Sequence, residues 1–218
     1  MVKRIIEIDD LIRRDHHYLT PEDKCYFHGE YTAGEGYAYS HTNHLVINFK
    51  KEVNRRGRME WQYKERAIAK AAQILASAFT PEAFSKVTFV PVPPSKAKTD
   101  PLYDDRLVQM LKTMCQAKKS DIRELVIQVK SMDPSHASGD RPTPDQIAAN
   151  YILDQSLLLP TPNLIFICDD VITTGSHFKA VQKIIRTQFP ETSVCGLFIA
   201  RRVPKSVDFD FEILGESD

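Results

Sequence analysis

The chain of 218 residues has no long apolar run, no surplus of either charge and no paired cysteines. Its longest hydrophobic stretches are short, such as residues 164–168, far below the ~20 residues that a bilayer-spanning helix needs. Residues 1–14 set Lys3, Arg4, Glu7, Asp9 and Asp10 among the isoleucines, so neither a membrane anchor nor a secretory signal is expected. The 29 basic and 29 acidic residues cancel and no block of like charge breaks the balance, which argues against nucleic acid or an anionic membrane as a partner. Any anion site must therefore be local. Cys25, Cys115, Cys168 and Cys195 lie far apart and form no C-x-x-C pair, which disfavours a zinc ribbon or disulfide frame and points to reduced thiols in a cytoplasmic setting. Internal repeats and low-complexity tracts are also missing.

With 42% hydrophobic residues the chain has enough apolar material for one α/β core carrying a small appendage. Residues 61–79 repeat Ala67, Ile68, Ala71, Ala72, Leu75 and Ala78 at helical spacing. After Pro81 short apolar runs alternate with helical patterns: strands over 87–92, 124–129, 163–168 and 193–200, helices over 102–115 and 177–189. This alternation predicts a mostly parallel central sheet flanked by helices. Val207, Phe209, Phe211 and Ile213 alternate with acids as in a half-exposed edge strand. Residues 131–144, with Pro134, Pro142, Pro144 and Gly139, read as a long exposed loop. Residues 25–50 are dense in Tyr, Phe and His around Gly29, Gly34 and Gly36, suggesting a hairpin that ends in alternating Leu45, Ile47 and Phe49. Residues 1–60 are accordingly expected to form a separate cap or hood, and 61–218 the α/β core.

The chemistry concentrates in 164–176. An apolar strand ends in Cys168, the adjacent carboxylates Asp169 and Asp170 follow, and Val171-Ile172-Thr173-Thr174-Gly175-Ser176 turns into a helix near His177. Ligands of open α/β sheets bind beyond the carboxyl ends of strands, where a helix N-terminus offers unpaired N–H groups and the positive end of its dipole. Thr173, Thr174 and Ser176 add hydroxyls, and Gly175 lets the backbone curl close to an anion, so the turn fits one phosphate. Two carboxylates beside it would repel a second phosphate but suit neutral hydroxyls, a cationic centre or a magnesium ion. A sugar phosphate meets both demands: its 5′-phosphate in the turn, its 2′- and 3′-hydroxyls on Asp169 and Asp170, whose charge would also favour an oxocarbenium-like transition state.

This segment, IFICDDVITTGS over 165–176, resembles the phosphoribosyl pyrophosphate (PRPP) motif of the type I phosphoribosyltransferases, and strand, acid pair, phosphate turn and helix occur in the required order. The resemblance implies the fold of that family and a Mg²⁺-dependent transfer of phosphoribose between PRPP and a nitrogenous base, Mg²⁺ arriving with the diphosphate rather than held by protein ligands. It places the 5′-phosphate on Ile172, Thr173, Thr174, Gly175 and Ser176 and the diphosphate on the loop after the first core strand, 90–98. There Ser95, Lys96 and Lys98 stand, with Arg106 beyond. It makes 131–144 the catalytic loop, with Arg141 the leading candidate to act beside Asp169 and Asp170, ahead of Lys130 and His136. The V-P-V-P start at Val90 is most similar to the competence-associated branch, although the paired-cysteine zinc module of that branch is missing. Tyr26, Phe27, Tyr31, Tyr37 and Tyr39 are candidates to stack on a base, Arg201-Arg202 to lie near it, and a homodimer is the common assembly. Most of the seven histidines crowd the first 44 residues but without metal-ligand spacing, so packing roles are expected for them and no metal site. The competing expectation is a regulator that binds PRPP or a nucleotide on this fold without catalysis.

Overall fold

A computed structural model of the protein describes residues 5–116, 120–132 and 142–204. In chain order the strands are β1 (Ile6–Glu7), β2 (Lys24–Thr32), β3 (Thr88–Pro91), β4 (Asp121–Ile122), β5 (Val126–Gln128), β6 (Tyr151–Leu153), β7 (Leu164–Ile172) and β8 (Ser193–Val203). The helices are α1 (Asp10–Arg13), α2 (His41–Phe49), α3 (Trp61–Ala76), α4 (Pro81–Phe84), α5 (Arg106–Cys115), α6 (Pro144–Ala148) and α7 (Ser176–Gln188). Six strands form one sheet in the order β1-β2-β8-β7-β3-β4, parallel throughout except for β1 on β2. This is a mixed, mostly parallel sheet flanked by helices, compatible with a Rossmann-like fold.

The sequence explains the centre of this arrangement. Ile165, Ile167, Cys168, Val171 and Ile172 of β7 are all buried, the near-continuous apolar run of a strand covered on both faces. Gly196 of β8 is small because β2 runs close beside it: a Cβ there would meet Cys25 Sγ at 2.8 Å and the Phe198 ring at 2.6 Å. Ala67, Ala71 and Ala72 of α3 are buried, their small side chains letting α3 pack closely on α2 and α5. All four cysteines are free and buried.

Four expectations need correction. Residues 1–60 do not form a separate cap, because β1 and β2 belong to the main sheet and β2 pairs along its length with β8, joining the two ends of the described chain. Nor does 25–50 form a hairpin. Ser40 caps α2 by accepting the Asn43 N–H at 3.0 Å, and Leu45, Val46 and Phe49 are buried as a helical stripe; positions 45 and 49 fit both periodicities. The run at 124–129 is not a core strand: β4 precedes it beside β3, and β5 leaves the sheet to pair antiparallel with β6. Finally β7 continues through Ile172, so Asp169 and Asp170 stand within the strand, Asp169 opposite Phe198, rather than after it.

The β5–β6 ribbon extends through Val129 N–H to Asn150 O at 2.9 Å and Lys130 N–H to Asn150 Oδ1 at 3.0 Å, so the stretch read as a loop starts from a paired stem. Its far end is helical, with Thr143 and Gln146 forming a capping box on α6. Arg141 and His136 lie outside the described residues, as does the strand expected at 207–213. No described helix is long and apolar enough to cross a membrane.

Candidate functional site

From β3 the sheet grows in one direction to β4 and in the other to β7 and β8, so the order reverses between β3 and β7. A crevice opens at such a reversal, outside the carboxyl ends of the strands. Here it is a cavity of 360 Å³ lined by 91–98 at and beyond the end of β3, by 103–108 at the start of α5, by Asp169, Asp170, Val171 and Thr173 from β7 and its turn, and by Lys50, Glu124, Gln128 and His177.

Asp170 is 3% exposed and tied to the protein on both oxygens. Arg106 donates Nε at 3.1 Å and Nη2 at 2.7 Å to Oδ2, and Lys50 Nζ lies 3.3 Å from Oδ1. The chain of charges continues inward: Arg106 Nη1 reaches Asp104 Oδ2 at 2.8 Å, and Lys64 Nζ reaches the same oxygen at 2.7 Å and the Lys51 carbonyl at 2.7 Å. Burial alone would raise the Asp170 carboxyl, but Lys50 and Arg106 reverse this and hold it well below the usual carboxylate range. Three N–H donors use three of the roughly four lone-pair sites of a carboxylate. Asp170 therefore has little left to offer a ligand, and Arg106, expected on the diphosphate, is instead its clamp.

Asp169 is the opposite case. It is half-buried and accepts the Asp170 N–H at 2.7 Å. Burial and the neighbouring Asp170 charge push it up to about 7. The two acids are thus unequal: Asp170 is a fixed anion, whereas Asp169 gains or loses its proton near neutrality and is the acid freer to meet a ligand.

On the β3 side, Ser95, Lys96 and Lys98 line the cavity. Lys98 pairs with Glu124 at 2.7 Å. The Ser95 carbonyl accepts from the Gln128 amide and, at 2.8 Å, from the Met132 N–H, which ties this loop to the stem of the β5–β6 ribbon. On the β7 side, Thr173 lines the cavity, while Ile172 is 2% exposed with its side chain in the core, so it can reach a phosphate only through its backbone. Gly175 caps α7 at φ 86°, a left-handed conformation, and supplies no side chain to the first helical N–H groups. The Thr174 hydroxyl bonds Ser176 Oγ at 3.3 Å, and Ser176 is buried.

No sequence pattern points to Lys50, Lys64 or Gln128, while Asp104 and His177 read there only as residues at the starts of helices. No local pattern marks Lys50, which arrives from the end of a helix mistaken for a strand. Asp104 stands two residues before Arg106, a spacing that caps helices as readily as it orients a guanidinium. Burial pushes the Tyr151 phenol up, so its hydroxyl stays protonated, and it shares a hydrogen bond of 3.3 Å with His177 Nδ1. None of Tyr26, Phe27, Tyr31, Tyr37 and Tyr39 lines the cavity. Arg201 pairs with Glu30 and Asp15. Among the described residues no group of three His, Cys, Asp or Glu is placed to hold a metal ion. No known protein family matches the chain, and no curated protein matches it in sequence.

Proposed function

We propose that the chain is a phosphoribosyltransferase of the type I fold, acting on PRPP with its Mg²⁺ and on a nitrogenous base, or running the reverse reaction. The observation that carries this reading is the coincidence, at the point where strand order reverses, of an acid pair, Thr173 at the start of a glycine-capped turn and a lysine-bearing loop around one cavity. In the reaction the bond from the anomeric carbon to the diphosphate breaks with its electron pair leaving on pyrophosphate. A base nitrogen then bonds to that carbon and loses its proton. Asp170, kept ionised by Lys50 and Arg106, holds those two cations at the cavity wall, and the ionised form of Asp169 supplies the negative charge for the oxocarbenium-like centre. Asp169 accepts from the ribose hydroxyls and, titrating near neutrality, can take up the proton that the base releases. Lys96 and Lys98 meet the diphosphate, Lys98 by exchanging Glu124 for it. Mg²⁺ enters on the phosphate oxygens as part of the substrate.

A second reading, a PRPP- or nucleotide-binding regulator, is favoured by one observation: Lys50, Arg106 and Lys98 are already neutralised by protein carboxylates. Incubation with Mg²⁺, PRPP and each common nucleobase separates the two. Transfer predicts base-dependent pyrophosphate release that falls at least about 100-fold in Asp169→Asn, a loss within the range contributed by one acid–base group. PRPP binding without release for any base favours the regulator, and failure to bind PRPP removes both.

A further inference from the structure

We infer that the segment carrying His16 and Tyr18 is a strap that aims the backbone N–H groups of Thr174 and Gly175 at the sugar-phosphate anion, with His16 as the positioning residue. This rests on the phosphate turn proposed above and explains how that turn is set. His16 Nδ1 donates to the Thr173 carbonyl, and the Tyr18 N–H donates to the Thr174 carbonyl at 2.9 Å. The only cis peptide bond among the described residues is Leu159–Pro160, so the two peptide groups of the turn are trans. In a planar trans peptide the C=O and N–H point in opposite directions. Holding the carbonyls of Thr173 and Thr174 on the strap side therefore turns the N–H groups of Thr174 and Gly175 to the other side, and the α7 that follows has no side-chain cap on its first N–H groups.

The strap is itself anchored. Asp23, 5% exposed, accepts Lys179 Nζ at 2.8 Å and the Gln182 amide at 2.9 Å, both from α7, and the Thr20 N–H at 2.8 Å. Leu19 lies over Gly175, where a Cβ would meet its Cδ2 at 3.1 Å. The strap thus grips the turn at one end and the helix at the other.

His16 is 0% exposed and no described residue offers its Nε2 a partner. Burial lowers its basicity, so the ring is neutral, and because a carbonyl only accepts, the proton sits on Nδ1. A buried nitrogen without a partner costs stability. An aliphatic side chain would avoid that cost, so packing does not account for a histidine here, whereas a rigid donor to the Thr173 carbonyl does.

The test is titration of ¹⁵N-labelled protein with ribose 5-phosphate, alongside His16→Asn, whose amide can donate from nearly the same place as Nδ1, and His16→Leu, which fills the space without a donor. The expected result is that the Thr174 and Gly175 amide signals shift on binding, that His16→Asn keeps the affinity within about threefold, and that His16→Leu loses at least about fivefold, the worth of one hydrogen bond. Equal affinity in the leucine variant overturns the strap while leaving the phosphoribosyl reading intact, whereas wild-type binding that leaves those two amides unmoved overturns the strap and removes the phosphate turn on which that reading rests. Should the leucine variant not fold, the wild-type amide shifts decide. Absence of ribose 5-phosphate binding to the wild type overturns the functional reading and the strap with it.

Discussion

Replacing Asp170 by asparagine keeps the shape of the side chain and removes the anion that Arg106 and Lys50 share. Lys50 is 47% exposed at its side chain and can turn to water, but the Arg106 side chain is 20% exposed and retains only Asp104. Breaking a buried pair from one side costs about 3–5 kcal/mol, and the partial solvation of both cations puts this case near about 3. For a chain of this length that lowers Tm by about 6–12 °C, at about 2–4 °C per kcal/mol. The deficit has a pH signature. The folded-state pKa of Asp170 is depressed, so its contribution is complete above the unfolded value of about 4 and fades as pH falls below it. The gap between wild type and variant should therefore be full at neutral pH and close in acid. Adding Arg106→Leu to Asp170→Asn should recover part of the loss, with a coupling of about 1–3 kcal/mol in a double-mutant cycle read by urea denaturation. A Tm for Asp170→Asn within about 2 °C of wild type, under 1 kcal/mol by the same conversion, would refute the view that Asp170 is clamped.

Asp169→Asn should do the reverse. The folded-state pKa of Asp169 is raised to about 7, so the wild type loses stability as pH rises from about 4 to about 7, and the asparagine variant should lose that slope and be the more stable protein at pH 8 while turnover collapses. Denaturation midpoints across that range check it; a variant that parallels wild type contradicts it. Gly175→Ala forces a side chain into a left-handed backbone under Leu19 and should cost at least about 1–2 kcal/mol, a Tm drop of about 2–8 °C by calorimetry. An unchanged Tm would mean that the turn tolerates another conformation.

The site was more legible in the sequence than its surroundings. Strand, acid pair and glycine turn are contiguous, so chain order alone puts Asp169, Asp170 and Gly175 together. Loop 91–98 could be placed because a buried strand, β3, runs directly into it. What escaped depends on contacts far apart in sequence: Lys50 meets Asp170 120 residues away, and His16 meets Thr173 157 residues away. The apolar positions of the α2 region satisfy both a strand period and a helix period, and the Ser40 cap decides for the helix. Residues 1–60 lack the βα alternation of the core and so read as separate, yet β2 finds its partner in β8, near the opposite end of the chain. Periodicity reports which face of a segment is apolar and is silent on which strand it will join.

The most direct measurement is a crystal structure with ribose 5-phosphate at saturating concentration. The account predicts the phosphate on the Thr174 and Gly175 N–H groups, the ribose hydroxyls against Asp169, and Asp170 still held by Arg106. A sugar bound elsewhere, or a cavity left without it, would contradict the account.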